Sequence, residues 1–280
     1  MIGSALVIDK NKLQKRQLAL FFILTYAIAW AFFIPLGLSR AGLGWLPFQL
    51  SIPVMTVLGS FAPSIAALLT LRFTEKRWPT FGFTSQPARM IVGFIVAPIL
   101  IAITFSVIPA SILTTGPLAK LGWPVLFSGS VFTVFTIIGG PLGEEPGWRG
   151  FALPRLQQRL GLARASLVLG ILWAAWHLPL FLTTAWSSTR FPTYVLIVTG
   201  LSFSMTFLFN LSGNSVITAI SAHASFNTTS RWLGGLLANA SIRDNPAPEL
   251  ILGLAGWAVA LVLVLVLATR GRLALRKRTT

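Results

Sequence analysis

The chain of 280 residues is 55% hydrophobic and only 10% charged, with a mean hydropathy of +0.79. A soluble domain carries about 25% charged residues, so this composition excludes a water-exposed globule and points to a multispan membrane protein. The net charge of +16 does not indicate nucleic-acid binding, because Lys and Arg are sorted into short segments between apolar runs. That is the pattern of membrane topology, not of a continuous basic face.

A hydrocarbon layer of about 30 Å needs roughly 20 helical residues. The apolar runs therefore predict an all-α, polytopic helical bundle of about eight transmembrane helices. They fall at about 18–37, 50–71, 90–113, 125–143, 165–183, 193–211, 215–236 and 250–268. Residues 1–17 form a basic leader segment carrying Lys10, Lys12, Lys15 and Arg16. The run behind it is too long for a signal peptide, so it is expected to be retained as the first span. Residues 18–268 make a single transmembrane domain, and 269–280 a basic tail.

Most of the 22 basic residues lie in the leader, at 72–89 (Arg72, Lys76, Arg77, Arg89), at 144–164 (Arg149, Arg155, Arg159, Arg164) and in the tail. With eight spans these segments share one side. The positive-inside rule then places both termini in the cytoplasm, in the inner or plasma membrane of the cell. It also sets the stretch after residue 143 at the cytoplasmic end of the fourth span.

Between the fourth and fifth spans, residues 151–164 place Leu153, Leu156 and Leu160 at helical spacing with Arg155 and Arg159 between them. Two readings fit: a short amphipathic helix in the membrane interface, or an ordinary basic loop. The seventh span is rich in Ser, Asn and Thr and is expected to face protein or a cavity. The last span offers only packing or lipid contact. No internal repeat is visible, which argues against a transporter built from inverted halves. With no cysteine in the chain, disulfides, thiol catalysis and Cys-ligated metals are excluded.

Against this background the polar residues stand out. The chain has six acidic residues and two histidines. Glu144 and Glu145 are adjacent, and Arg149 follows Glu145 by four, the spacing of a helical ion pair. Pro146 disfavours a regular helix at the preceding residue, so Glu145 is also a candidate cap for a helix starting at Pro146. A buried carboxylate is suited to taking a proton from water; a solvated pair tied to Arg149 or Arg155 is the alternative. Trp173 and His177 share a helix face, and Pro179 just beyond suggests a kink beside a cavity. The other reading of His177 is a packed ring bonded to a backbone carbonyl. His223 and Asn227 share a face in the polar span, where such side chains also act as helix–helix glue. By the span boundaries the three places lie at unequal depths, with Glu144 nearest the surface.

At these residues the chain resembles the CPBP family of intramembrane proteases, which includes CAAX prenyl endopeptidases and bacteriocin-processing and self-immunity proteins. The family pattern Glu-Glu-x-x-x-Arg, Phe-x-x-x-His, His-x-x-x-Asn/Asp is matched by Glu144-Glu145-x-x-x-Arg149, Trp173-x-x-x-His177 and His223-x-x-x-Asn227. Trp173 replaces the family's Phe, and the resemblance spans about 125–230. It implies an endopeptidase of the glutamate type that cleaves a membrane-associated peptide or protein, prenylated or otherwise lipid-presented. Glu144 would activate water, His177 would hold that water, and His223 and Asn227 would stabilise the oxyanion. Glu145, Arg149 and Trp173 would support them. No cofactor is implied.

Two rival readings stay open. In a zinc hydrolase, Glu144, His177 and His223 would be the metal ligands, although no His-Glu-x-x-His helix is present. In a non-catalytic immunity or peptide-binding protein, the same pocket would only bind. The expected partners are membrane lipid and a peptide or protein substrate, with no nucleic acid.

Overall fold

The structure is a computed structural model of the chain; it describes residues 9–77, 87–107, 136–186, 190–239 and 247–273. The described residues form an all-helical bundle, as the composition requires. Helix α1 (Lys10–Leu38) is capped by Asp9, whose carboxylate accepts from the Asn11 amide at 2.9 Å. The run continues with α2 (Ile52–Ser60) and α3 (Ala62–Glu75), separated by a break at Phe61 where Pro63 starts the new helix. Next comes α4 (Pro87–Ala102), ending in a π-turn over Ile103–Val107. Then follow α5 (Pro141–Gly147), a second π-turn over Trp148–Ala152, α6 (Leu153–Leu160) and α7 (Leu162–Trp176). A 3₁₀ turn at Leu178–Leu182 leads to α8 (Phe191–Leu211), α9 (Val216–Asn239) and α10 (Ala247–Ala268).

Five candidate spans are long and apolar enough to cross a membrane among the described residues: Lys10–Leu38, Ile52–Glu75, Pro87–Phe105, Leu162–Leu182 and Phe191–Leu211. The expected count of eight is thus not reproduced by length and hydropathy. Most of the expected span at 125–143 lies outside the described residues. Helix α9 carries too many Ser, Thr and Asn side chains, whereas α10 runs over 22 apolar-rich residues, Ala247–Ala268, where the last span is expected.

Small residues let the helices approach closely, as they do where lipid supplies no hydrophobic drive between helices. A Cβ on Gly170 of α7 would stand 2.8 Å from Thr199 Cα of α8, and one on Gly200 would stand 2.6 Å from the Ala258 methyl of α10. Polar side chains reinforce these seams. Ser202 Oγ donates to Ser166 O at 3.0 Å, Ser225 Oγ to Pro98 O at 2.7 Å, and the Trp257 indole to Thr104 O at 2.8 Å in the first π-turn. The last of these gives α10 a specific tether beyond the plain packing expected of it.

The segment 141–160 departs from the expected loop. Helix α5, the π-turn and α6 keep right-handed helical backbone throughout, at Gly147, Trp148, Ala152 and Leu153. They form one broken rod, and its last part, α6, is the short amphipathic helix that was one of the two readings of residues 151–164, continuous with the preceding turn. Leu153 and Leu156 are buried, while Leu160 is exposed. The far end of the rod is tied to α1, α3 and α8. Arg155 Nε donates to Gln17 Oε1 at 3.1 Å, and buried Gln17 donates in turn to Thr74 and Glu75. Gln14 donates to Gln158, Arg159 to Asn11 O, and Gln157 to Asn210. The near end seats on the α2–α3 break: a Cβ on Gly143 would meet Ser60 O at 2.7 Å, and one on Gly147 would meet the Pro63 backbone at 2.3 Å.

Candidate active site

The rod delivers Glu144 to the interior. Glu144 lies in the first turn of α5, sixteen residues before the end of α6. Its partner Trp173 lies roughly 16 Å of helix rise along α7 from Leu162. The Trp173 indole nonetheless bonds the Glu144 carboxylate, so these two places meet although the span boundaries set them at unequal depths. Glu145 is not a cap: α5 starts at Pro141, and Pro146 is inside it. Gly140, just before that start, has the extended φ of −168° and turns the chain into the helix.

Both carboxylates are almost wholly buried, Glu144 at 4% and Glu145 at 0% exposure, and each has its own partners. Trp173 Nε1–H donates to Glu144 Oε2 at 2.7 Å. Glu145 Oε1 accepts from Arg149 Nη1 at 2.9 Å and from His223 Nδ1–H at 2.8 Å. The Arg149 guanidinium also lies over the Trp173 ring, 4.2 Å from its centroid. A buried ion pair without such extra partners would lose more in desolvation than it gains. Here the helical spacing of Glu145 and Arg149 is realised, and α9 adds a third member.

The histidines are oriented by what their Nδ1 atoms meet. A carbonyl oxygen only accepts, so the contact of His177 Nδ1 with Trp173 O at 2.9 Å puts a proton on Nδ1. Nε2 of that ring is then left as an acceptor in the neutral tautomer. The bond to a backbone carbonyl, which a merely packed ring would make, is present and sets this direction. The His223 contact with Glu145 likewise puts a proton on its Nδ1. The His223 ring meets the Trp173 ring edge-on, with centroids 5.0 Å apart.

Asn227 joins from the next turn of α9. One point beside Gly140, where a Cβ would stand, is 3.2 Å from Glu144 Oε1 and 3.7 Å from Asn227 Nδ2. With Oε2 held by the indole, Oε1 is the oxygen of Glu144 that faces this side. The structure therefore gathers Glu144, Glu145, Arg149, Trp173, His177, His223 and Asn227 at one place between α5, α7 and α9. Ser225, on the same helix, supplies the helix–helix bond that was the alternative role for the polar span.

Sequence reasoning passed over an aromatic wall. His177 packs against Trp176 (4.6 Å between centroids), Trp186 (5.4 Å, stacked) and Tyr194 (5.5 Å, edge-on). Phe181 closes the cluster against Trp186 and Tyr194. Trp186 and Tyr194 belong to the turn after α7 and the first turn of α8, which carry no charged residue to draw the eye. The spare signal was the density of aromatic rings at 173–194. Among the described residues, no three His, Asp or Glu side chains gather as a metal site needs.

Fold and site together define a helical membrane protein with a buried Glu/His/Asn centre. Residues 124–229 match the family model of type II CAAX prenyl endopeptidases of the Rce1-like kind, and the three motifs lie within this segment. A stretch of 90 residues, 30% of the chain, is 36% identical to a CAAX prenyl protease 2 of Methanococcus maripaludis and covers 33% of that relative. The chain thus matches about a third of the length of this curated protein.

Proposed function

We propose that the protein is an intramembrane endopeptidase in which Glu144 is the general base. The observation that carries this reading is the division of labour between the adjacent acids. Arg149 and His223 both bond Glu145 Oε1 and counter its charge, whereas the hydrogen bond that holds Glu144 comes from the neutral Trp173 indole, at Oε2. The other oxygen of Glu144 faces the space shared with Asn227.

Water between Glu144 Oε1 and His177 Nε2 gives one proton to the carboxylate as its oxygen attacks the scissile carbonyl carbon. His177, accepting through Nε2, orients the other water proton. The new oxyanion takes a hydrogen bond from Asn227 Nδ2–H. His223 donates from Nε2 when its ring carries both protons, a cation that the Glu145 carboxylate balances. Such donors are typically worth about 3 kcal/mol each in a dry site. Collapse of the intermediate breaks the C–N bond, and the proton on Glu144 passes to the leaving amine.

The family and the relative are named for CAAX prenyl proteolysis, which supports a peptide carrying a lipid near its C-terminus as the substrate class. The basic residues Lys10, Lys12, Arg155 and Arg159 lie at the end of the bundle where α1 begins and α6 ends. By the positive-inside rule that end is cytoplasmic, in the inner or plasma membrane. The test is to incubate the full chain in lipid nanodiscs with prenylated and plain peptides and identify products by mass spectrometry. The expected result is cleavage by the wild type and none by Glu144→Ala. Wild-type turnover in Glu144→Ala would remove the base assignment.

A further inference from the structure

Tyr194 lies beside the reacting groups and has no task in the scheme above. It stands in the first turn of α8, half-buried, with its ring 5.5 Å from the His177 ring and 5.4 Å from that of Trp186. These rings fix the position of the phenol. Among the described residues its hydroxyl has no hydrogen-bond partner, and it is not sealed among the fully buried polar atoms. It also lies within electrostatic reach of the Glu144 carboxylate. A phenol that borders lipid-embedded apolar packing and still meets no acceptor points to a partner that arrives with water or substrate.

The geometry of the nucleophile supplies that partner. A water that gives one hydrogen to Glu144 Oε1 and the other to His177 Nε2 has two lone pairs left. One must point at the scissile carbonyl. We infer that Tyr194 is a further catalytic residue, whose O–H donates to the remaining lone pair and so fixes the direction of attack. No proton leaves the phenol in this step. Its hydrogen bond passes from the water oxygen to the hydroxyl of the tetrahedral intermediate, which is the same atom. The inference rests on the endopeptidase reading above and adds the group that orients its nucleophile.

The test uses the full chain in lipid nanodiscs. Tyr194→Phe keeps the ring that packs on His177 and Trp186 and removes only the hydroxyl. The expected result is a kcat lower by about tenfold, with KM within about twofold and an unchanged unfolding temperature. An unchanged kcat, or a change in KM alone, overturns the role. A second readout needs no turnover. Tyr26 and Tyr194 are the two tyrosines of the chain, so 3-fluorotyrosine labelling gives two fluorine resonances, and Tyr194→Phe assigns them. Glu144→Gln is expected to move the Tyr194 line and leave the Tyr26 line in place; a stationary Tyr194 line overturns the placement. A protein that cleaves nothing yet shows the shift loses the endopeptidase reading and keeps Tyr194 in the hollow.

Discussion

The indole N–H of Trp173 donates to Glu144 Oε2 at 2.7 Å, one turn before His177. The family pattern has Phe at this position, and a phenyl ring has no donor. Here one residue walls the site and also holds its carboxylate. Its backbone carbonyl accepts from His177 Nδ1–H as well, so Trp173 orients both groups that the proposed mechanism sets beside the water.

Trp173→Phe separates these duties. The wall and the backbone carbonyl remain, and only the bond to Glu144 is lost. A hydrogen bond to a charged group contributes about 1.5 kcal/mol net or more. Peptide turnover by Trp173→Phe is therefore expected at about a tenth of the wild-type kcat, with little change in KM. Equal rates would show that the carboxylate needs no anchor.

Glu145 and Arg149 should matter first for folding. Removing one partner of a buried pair leaves the other charge uncompensated, at a cost of about 3–5 kcal/mol. Glu145→Ala and Arg149→Ala are both expected to lower the unfolding temperature and the folded yield. The double variant Glu145→Gln/Arg149→Met should recover much of that loss. If each single variant melts like the wild type, the pair is not holding the rod.

Gly147→Ala probes the seat of α5. The added methyl would lie 2.3 Å from the Pro63 backbone, which cannot rotate away as a flexible side chain can. Overpacking of this kind typically costs about 1–3 kcal/mol. It should also displace Glu144, one turn earlier, and so reduce kcat more than KM. A stable and fully active Gly147→Ala would mean that α5 is free to shift.

Metal removal distinguishes the glutamate reading from the zinc one. Turnover in nanodiscs is expected to persist after incubation with a strong chelator. Loss that is restored by zinc would instead make Glu144, His177 and His223 ligands of a hydrolytic metal.

Composition and periodicity were enough to read a helical membrane bundle, and three short motifs located the polar centre. What they missed follows from physics that is not local. Pro146 argued against helix at Glu145, but burial of the rod against Phe61 and Pro63 overrode that local preference. Hydropathy divided the chain where polarity rises after residue 143. It therefore put Glu144 at a membrane surface, although Glu144, Glu145 and Arg149 are buried and hydrogen-bonded inside the protein. Trp173 read as a wall because a sequence shows a ring and not the direction of its N–H. Tyr194 stayed invisible because it lies in no charged motif; its place depends on how α8 folds back along α7.

The rod from Pro141 to Leu160 is clamped at both ends, by two glycines wedged on a helix break and by side-chain amides and arginines at the far tip. Such a mounting makes Glu144, the base of the proposed mechanism, a stator. On that reading a peptide substrate would have to bring its backbone to a stationary tooth, and any gate that admits it would be made from helices other than α5.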